Sequence, residues 1–160
     1  MTIETGQTLP DATFMTMGED GPAPMSGSDL FAGKRVVLFA VPGAFTPTCS
    51  AKHLPGFIEK ADQIKAKGVD EIACIAVNDA FVMGAWGEAQ GAGSAVKMVA
   101  DGNGDFAQAC GLTMDGSGFG LGQRMQRCAM VVDNGTVTQL FVEEPGQFEA
   151  STAENVLANL

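Results

Sequence analysis

K-R-V-V-L-F-A-V-P-G-A-F-T-P-T-C-S, residues 34–50, joins an unbroken apolar run to a loop of two prolines and two threonines with a cysteine behind them. The run is closed by Lys34-Arg35 on one side and Pro42-Gly43 on the other, and its lack of polar alternation predicts a strand covered on both faces. Such a strand lies inside a sheet flanked by helices, so the chain after it should be helical. Across Ser50–Lys67, Leu54, Phe57, Ile58, Ala61 and Ile64 recur at helical spacing, lysines fill the last turn and Gly68 stops it. Pro55 falls inside this predicted helix and should kink it.

Outward from that unit the rhythm repeats. E-I-A-C-I-A-V-N-D (71–79) reads as a second buried strand, and Asn78 or Asp79 can cap the helix that begins in N-D-A-F-V-M-G-A-W-G-E. A-V-K-M-V-A-D (95–101) predicts a third strand and G-D-F-A-Q-A-C-G (104–111) a short helix ended by glycine. In R-C-A-M-V-V-D-N-G-T-V-T-Q-L-F-V-E (127–143), Asn134-Gly135 joins two β-branched runs, as a tight hairpin requires. Ser151 and Glu154 have the spacing of a capping box, which predicts a C-terminal helix. Toward the N-terminus, D-A-T-F-M-T-M reads as a short strand of an edge hairpin and G-E-D-G-P-A-P as its turn region. The whole is an α/β chain with a mixed central sheet, one domain over residues 1–160.

Composition narrows the function. The net charge of −10 and the scatter of the nine Lys and Arg residues disfavour nucleic acid as a partner. No apolar run approaches the roughly 20 residues of a membrane span, and the first ten residues lack a leader's basic and apolar regions, so a cytoplasmic location is expected. Cys49, Cys74, Cys110 and Cys128 lie far apart without a paired spacing, and His53 is the one histidine. That predicts reduced thiols, with neither a zinc site nor a disulfide framework. The glycine cluster G-S-G-F-G-L-G (116–122) does not fit the dinucleotide fingerprint and reads as a flexible loop.

At the junction of strand and helix, Cys49 would meet unpaired amides and the positive end of the helix dipole, a setting that favours an anion. Cysteines so placed have pKa values of roughly 3.5–7.5 instead of about 8.5, and the thiolate is the nucleophile. Pro42 and Pro47 would hold the loop in one shape, and the Thr46 hydroxyl could turn toward the sulfur. A small residue capping a helix is the plainer reading. The two prolines, the threonine and the strand-to-helix position coincide, and together they favour a reactive thiol.

P-G-A-F-T-P-T-C-S resembles the active-site signature of the peroxiredoxins, and P-T-C-S-A-K-H-L-P-G-F resembles their type II, or peroxiredoxin V-like, group. V-N-D-A-F-V-M-G-A-W-G (77–87), G-L-G-Q-R-M-Q-R-C-A-M-V-V (120–132) and V-E-E-P-G (142–146) are similar to that group as well. The resemblance implies a thioredoxin-like fold and an antioxidant peroxidase that reduces hydrogen peroxide and alkyl hydroperoxides through a sulfenic acid at Cys49. It implies that Thr46 hydrogen-bonds peroxide and thiolate, that Pro42 shields the sulfur, and that Arg127 stabilises the charge moving across the breaking O–O bond. Arg124 is the fallback for Arg127, and a loop or surface role suits it better. Pro42, Gly43, Phe45 and His53 are the candidate substrate-binding residues. His53 shares a helix face with Cys49, a pairing that also fits a hydrolase. No acyl-transfer motif accompanies it, and a pocket wall or plain packing is its expected role.

The electron donor turns on a second cysteine. Alternation along the strand turns Cys128 away if Arg127 faces Cys49. Cys74 reads as an inert core thiol, although in some relatives the matching cysteine is discussed as a resolving partner, and the resemblance gives Cys110 no role. No cysteine follows Val142. A one-cysteine cycle is therefore expected, with glutathione as donor, glutaredoxin as partner and no bound cofactor; thioredoxin, with Cys74 resolving, is the alternative. The resemblance also implies a homodimer, for which Phe45, Phe81 and Trp86 could face the partner, with Phe81 better suited to the core. A thiol-disulfide exchanger would need a cysteine where Thr46 stands. A redox sensor or holdase role remains open.

Overall fold

An apolar strand needs cover on both faces, and Arg35–Ala40 has it. Val37 and Phe39 enter one buried layer, and Val36, Leu38 and Ala40 enter the other. The computed structural model describes residues 1–160. In chain order its elements are β1 (Thr13–Gly18), β2 (Gly21–Ser26), α1 (Gly27–Phe31), β3 (Arg35–Ala40), a π-helical turn (Cys49–His53), α2 (Leu54–Lys65), β4 (Glu71–Ala76), α3 (Ala80–Gln90) and β5 (Lys97–Ala100). There follow α4 (Asp105–Cys110), β6 (Thr113–Asp115), β7 (Gln123–Met125), β8 (Cys128–Asp133), β9 (Thr136–Val142) and α5 (Ala153–Ala158).

Seven strands form one mixed sheet in the order β2-β1-β5-β4-β3-β8-β9. β3, β4 and β5 run parallel, as α2 and α3 crossovers require, whereas β8 pairs antiparallel with β3. This is the thioredoxin-like arrangement of a mixed sheet flanked by helices. One core layer holds Leu54, Phe57, Met83, Trp86 and Val156 from α2, α3 and α5. The other holds Leu30, Phe106 and Cys110 from α1 and α4. Cys49 and Cys74 belong to the first layer, Cys110 and Cys128 to the second, so the sheet separates the two pairs.

Most predicted strands and helices are present, and the departures have local causes. The P-A-P residues extend β2 instead of turning: β2 is the outer edge of the sheet, where a missing N–H breaks no interior ladder. The Asn134-Gly135 hairpin has both residues at positive φ (48° and 83°), as its turn demands. The glycine cluster 116–122 holds a 3₁₀ turn at Ser117–Phe119 within the β6–β7 ribbon. The cap of α5 is Thr152, which accepts from the Asn155 amide at 3.1 Å, and not Ser151, whose hydroxyl is engaged elsewhere. Phe81, expected in the core, is 64% exposed, whereas Trp86 is fully buried and donates Nε1–H to Ser50 Oγ at 2.9 Å. Of the three apolar residues considered for a partner, Trp86 is thus unavailable, and Phe45 and Phe81 are exposed.

Candidate active site

Beyond the carboxyl end of β3, where open α/β sheets bind ligands, the chain turns through Pro42–Thr46. The Ala44 amide donates to Asn78 Oδ1 at 2.9 Å, tying the turn to the end of β4. Phe45 is left-handed (φ 63°) without being glycine, a conformation that costs roughly 1–2 kcal/mol. The Thr46 carbonyl accepts from the Ser50 amide at 2.9 Å, which places Pro47 in the first helical position. The helix thus starts three residues before the predicted Ser50, and Cys49 lies within its first turn.

Pro55 lies inside the helical stretch, as expected. It occupies the first turn of α2, directly after the π-helical turn, in which the Leu54 amide reaches back to the Cys49 carbonyl. A proline in a continuous α-helix would press its ring on the carbonyl four residues earlier. One wide turn relieves that contact and sets Cys49 and His53 at its two ends.

Cys49 is fully buried, and its Sγ accepts from Arg127 Nη2 at 3.1 Å. Arg127 Nη1 lies 2.8 Å from His53 Nδ1, and its guanidinium stands 5.7 Å from the centre of the Phe148 ring. His53, also fully buried, packs on Phe39, Phe57 and Phe148, with Nε2 3.0 Å from the Ser151 carbonyl. Guanidinium nitrogen only donates, so Nδ1 is the acceptor and Nε2 carries the proton. Burial first, and the positive charge of Arg127 second, hold the His53 pKa down to about 3.

The sign of that shift makes His53 a pH liability for folding. The unfolded chain takes up the proton near pH 6.5 and the folded protein does not, so stability is flat above that value and falls as pH drops toward 3. The expected loss is about 1.4 kcal/mol per pH unit, hence about 2 kcal/mol between pH 6.5 and 5. Urea unfolding at the two pH values, compared with His53→Gln, checks this; equal slopes in both proteins would refute it.

Thr46 donates its hydroxyl to the Gly43 carbonyl at 2.7 Å and makes no hydrogen bond to Cys49. Arg124 does not face the sulfur: Nε donates to the Leu121 carbonyl at 2.8 Å and Nη1 to the Pro42 carbonyl at 3.3 Å. A Cβ on Gly43 would stand 2.8 Å from Arg124 Nη1 and 3.2 Å from Thr46 Cγ2, so glycine keeps that clasp closed. A cavity of about 260 Å³ opens beside Arg127, lined also by Pro42, Thr48, Met114, Glu143 and Phe148. Cys49 lies buried next to this lining. Phe45 stays outside the cavity, 57% exposed.

Glu143, Phe148 and Ser151 take part in this site without having been assigned to it by the sequence, where Ser151 reads as a helix cap and Glu143 only as part of V-E-E-P-G. The Glu143 carboxylate accepts from the Ser151 amide (2.7 Å) and hydroxyl (2.6 Å) and from the amides of Glu149 (2.9 Å) and Ala150 (3.2 Å). For Glu143 the signals are the V-E-E-P-G stretch (142–146), in which it stands, and its place at the end of the apolar run L-F-V-E. Cys74, Cys110 and Cys128 are buried free thiols. Burial is the first cause in each case, pushing Cys74 well above the usual thiol range and Cys110 and Cys128 up to about 12.

Residues 4–157 match the Redoxin family. The chain is 49% identical to peroxiredoxin-2B of Arabidopsis thaliana, across 99% of this chain and 98% of that protein. It is 51% identical to the chloroplastic peroxiredoxin-2E-2 of Oryza sativa subsp. japonica, across 99% and 73%. The crystal structure of reduced Prx3 from Vibrio vulnificus in complex with hydrogen peroxide superposes with a TM-score of 0.95, at 59% identity and 99% coverage of both chains.

Proposed function

The chain belongs to the peroxiredoxins, the thiol-dependent peroxidases, and on that premise we propose that it turns over on Cys49 alone, with glutathione and glutaredoxin as the reductant. Cys49 thiolate attacks one peroxide oxygen: an S–O bond forms, the O–O bond breaks, and the other oxygen leaves as water or alcohol after taking a proton. The sulfur is oxidised by two electrons to the sulfenic acid. Arg127 Nη2, already on Sγ, is placed to meet the charge that passes from sulfur to the departing oxygen. A glutathione thiolate then attacks the sulfenic sulfur and expels water. A second thiol, from glutaredoxin or glutathione, takes the glutathione off and returns Cys49 as a thiol.

The observation that carries the one-cysteine cycle is the state of Cys74. It is the one cysteine in the same core layer as Cys49. Burial first, and then the nearness of Cys49, keep it protonated, and a thiol is a poor nucleophile toward sulfenic sulfur. Small alkyl hydroperoxides fit the cavity, whose Pro42, Met114 and Phe148 offer apolar contact beside Arg127.

Peroxide consumption driven by glutathione with glutaredoxin, then by thioredoxin, tests this in native protein and in Cys74→Ser. The expected result is native turnover by Cys74→Ser with glutathione and glutaredoxin. Loss of turnover in that variant, or turnover with thioredoxin only, would replace the proposal with a two-cysteine, thioredoxin-dependent cycle.

A further inference from the structure

We propose that Glu143 is a positioning residue of this site, which acts through the Ser151 carbonyl and His53 to aim the Arg127 guanidinium at Cys49. The kinetic part of this inference rests on the peroxidase reading; the structural part does not.

Arg127 has two jobs to reconcile, because one terminal nitrogen serves Cys49 and the other His53. The planar fork makes both contacts together, so the imidazole sets where the fork points. That imidazole is in turn set by a backbone carbonyl, since Nε2–H donates to Ser151 at 3.0 Å. A carbonyl in a loop is only as well placed as its peptide. Here the residue that bears it, Ser151, is pinned through its own amide and hydroxyl by a carboxylate that also takes the amides of Glu149 and Ala150, one peptide before the carbonyl.

Three of the four donors fall on Oε2, and the fourth, the Ala150 amide, falls on Oε1, so both oxygens are engaged. Burial pushes the Glu143 carboxyl up, but the Ser151 hydroxyl and the three amides outweigh it and leave the pKa below the usual carboxylate range. The anion is therefore retained without a cation, and no salt bridge joins Glu143 to Arg127. That separation has a use. A carboxylate free to swing onto Arg127 would compete with Cys49 for the fork, whereas this one is held on both oxygens by residues 149–151. The four donated hydrogen bonds, which favour the anion, also argue against Glu143 as a proton donor in the cavity it lines.

Position reinforces the assignment. The Glu143 amide donates to the Arg127 carbonyl at 3.0 Å, so the two residues face each other where β8 and β9 begin and end. The same carboxylate then closes the loop 144–148 by holding its far side. That loop brings Phe148 against both His53 and Arg127.

Reach and charge can be separated by two conservative variants of the full chain. Glu143→Gln keeps the reach and an acceptor oxygen but loses the charge; Glu143→Asp keeps the charge and withdraws it by one methylene. Two readouts apply: the rate at which hydrogen peroxide oxidises reduced Cys49, and the ¹⁵N spectrum of the imidazole. The spectrum is unambiguous because His53 is the chain's one histidine. Native protein is expected to show Nε2 protonated and Nδ1 bare. Glu143→Asp is expected to lose roughly 10–100-fold in rate, with the His53 nitrogens moving toward mixed tautomers, and Glu143→Gln to lose less on both. Native behaviour of Glu143→Asp, the reverse order of the two variants, or a rate loss with unmoved His53 signals would each overturn the inference. Should native protein itself fail to react with peroxide, the peroxidase reading falls, and the spectra still decide the relay.

Discussion

Cys49→Ser is expected to reduce peroxide consumption by roughly 10⁴–10⁶-fold, the scale on which loss of a covalent nucleophile acts in other enzymes. The variant should fold, because an oxygen replaces a buried sulfur and Arg127 Nη2 keeps an acceptor 3.1 Å away or slightly further. The size of the effect follows from what the other thiols are. Cys110 and Cys128, raised by burial to about 12, hold only about 10⁻⁵ of their population as thiolate at pH 7. Cys74 is pushed up in the same direction, and all three are fully buried. None can stand in as nucleophile. The measurement is peroxide loss under single-turnover conditions with a thermal midpoint recorded alongside. A serine variant that folds and consumes peroxide at the native rate would move the chemistry away from Cys49.

The parts of this site that the amino-acid order discloses are those determined within a few residues. Arg35–Ala40 announces itself because burial on both faces leaves no polar alternation. Asn134-Gly135 does so because few residue pairs accept two positive φ angles. Cys49 is marked by its prolines, Thr46 and the turn from strand to helix. What stays hidden is set by partners far along the chain. The helix that carries Cys49 opens at Pro47 and not near Ser50, because a proline can open a helix as readily as it punctuates a loop. The π turn follows from Pro55 meeting that start, which no periodicity displays. Ser151 fits a capping box by spacing, yet its hydroxyl goes to Glu143, eight residues back, and its carbonyl to His53, 98 residues away. Thr152 takes the cap instead. Phe45 and Phe81 are ordinary apolar letters in the sequence, and only the packed sheet decides that Trp86 is enclosed while they are not.

Arg127 carries the second large effect, and its substitutions separate charge from geometry. Arg127→Gln removes the donor from Cys49 along with the positive charge, and the expected loss in peroxide reactivity is about 10²–10³-fold, as for deletion of one donor to a developing anion. Arg127→Lys keeps the charge but not the fork. A single ammonium cannot hold the Cys49 sulfur and His53 Nδ1 in the present arrangement, so lysine is expected to recover only part of the loss. Arg127→Gln also strips the buried His53 Nδ1 of its charged donor, which should lower stability by about 1–3 kcal/mol. The reaction can be followed without a label. Trp86, the chain's one tryptophan, hydrogen-bonds Ser50 beside Cys49, so its fluorescence senses the first turn of the helix. Stopped-flow mixing with peroxide then gives the oxidation rate directly, and urea unfolding gives the stability. If lysine matches the native rate, a positive charge suffices and the fork is incidental. If glutamine does, the sulfur attacks without help from the guanidinium, and the relay behind Arg127 has nothing to aim.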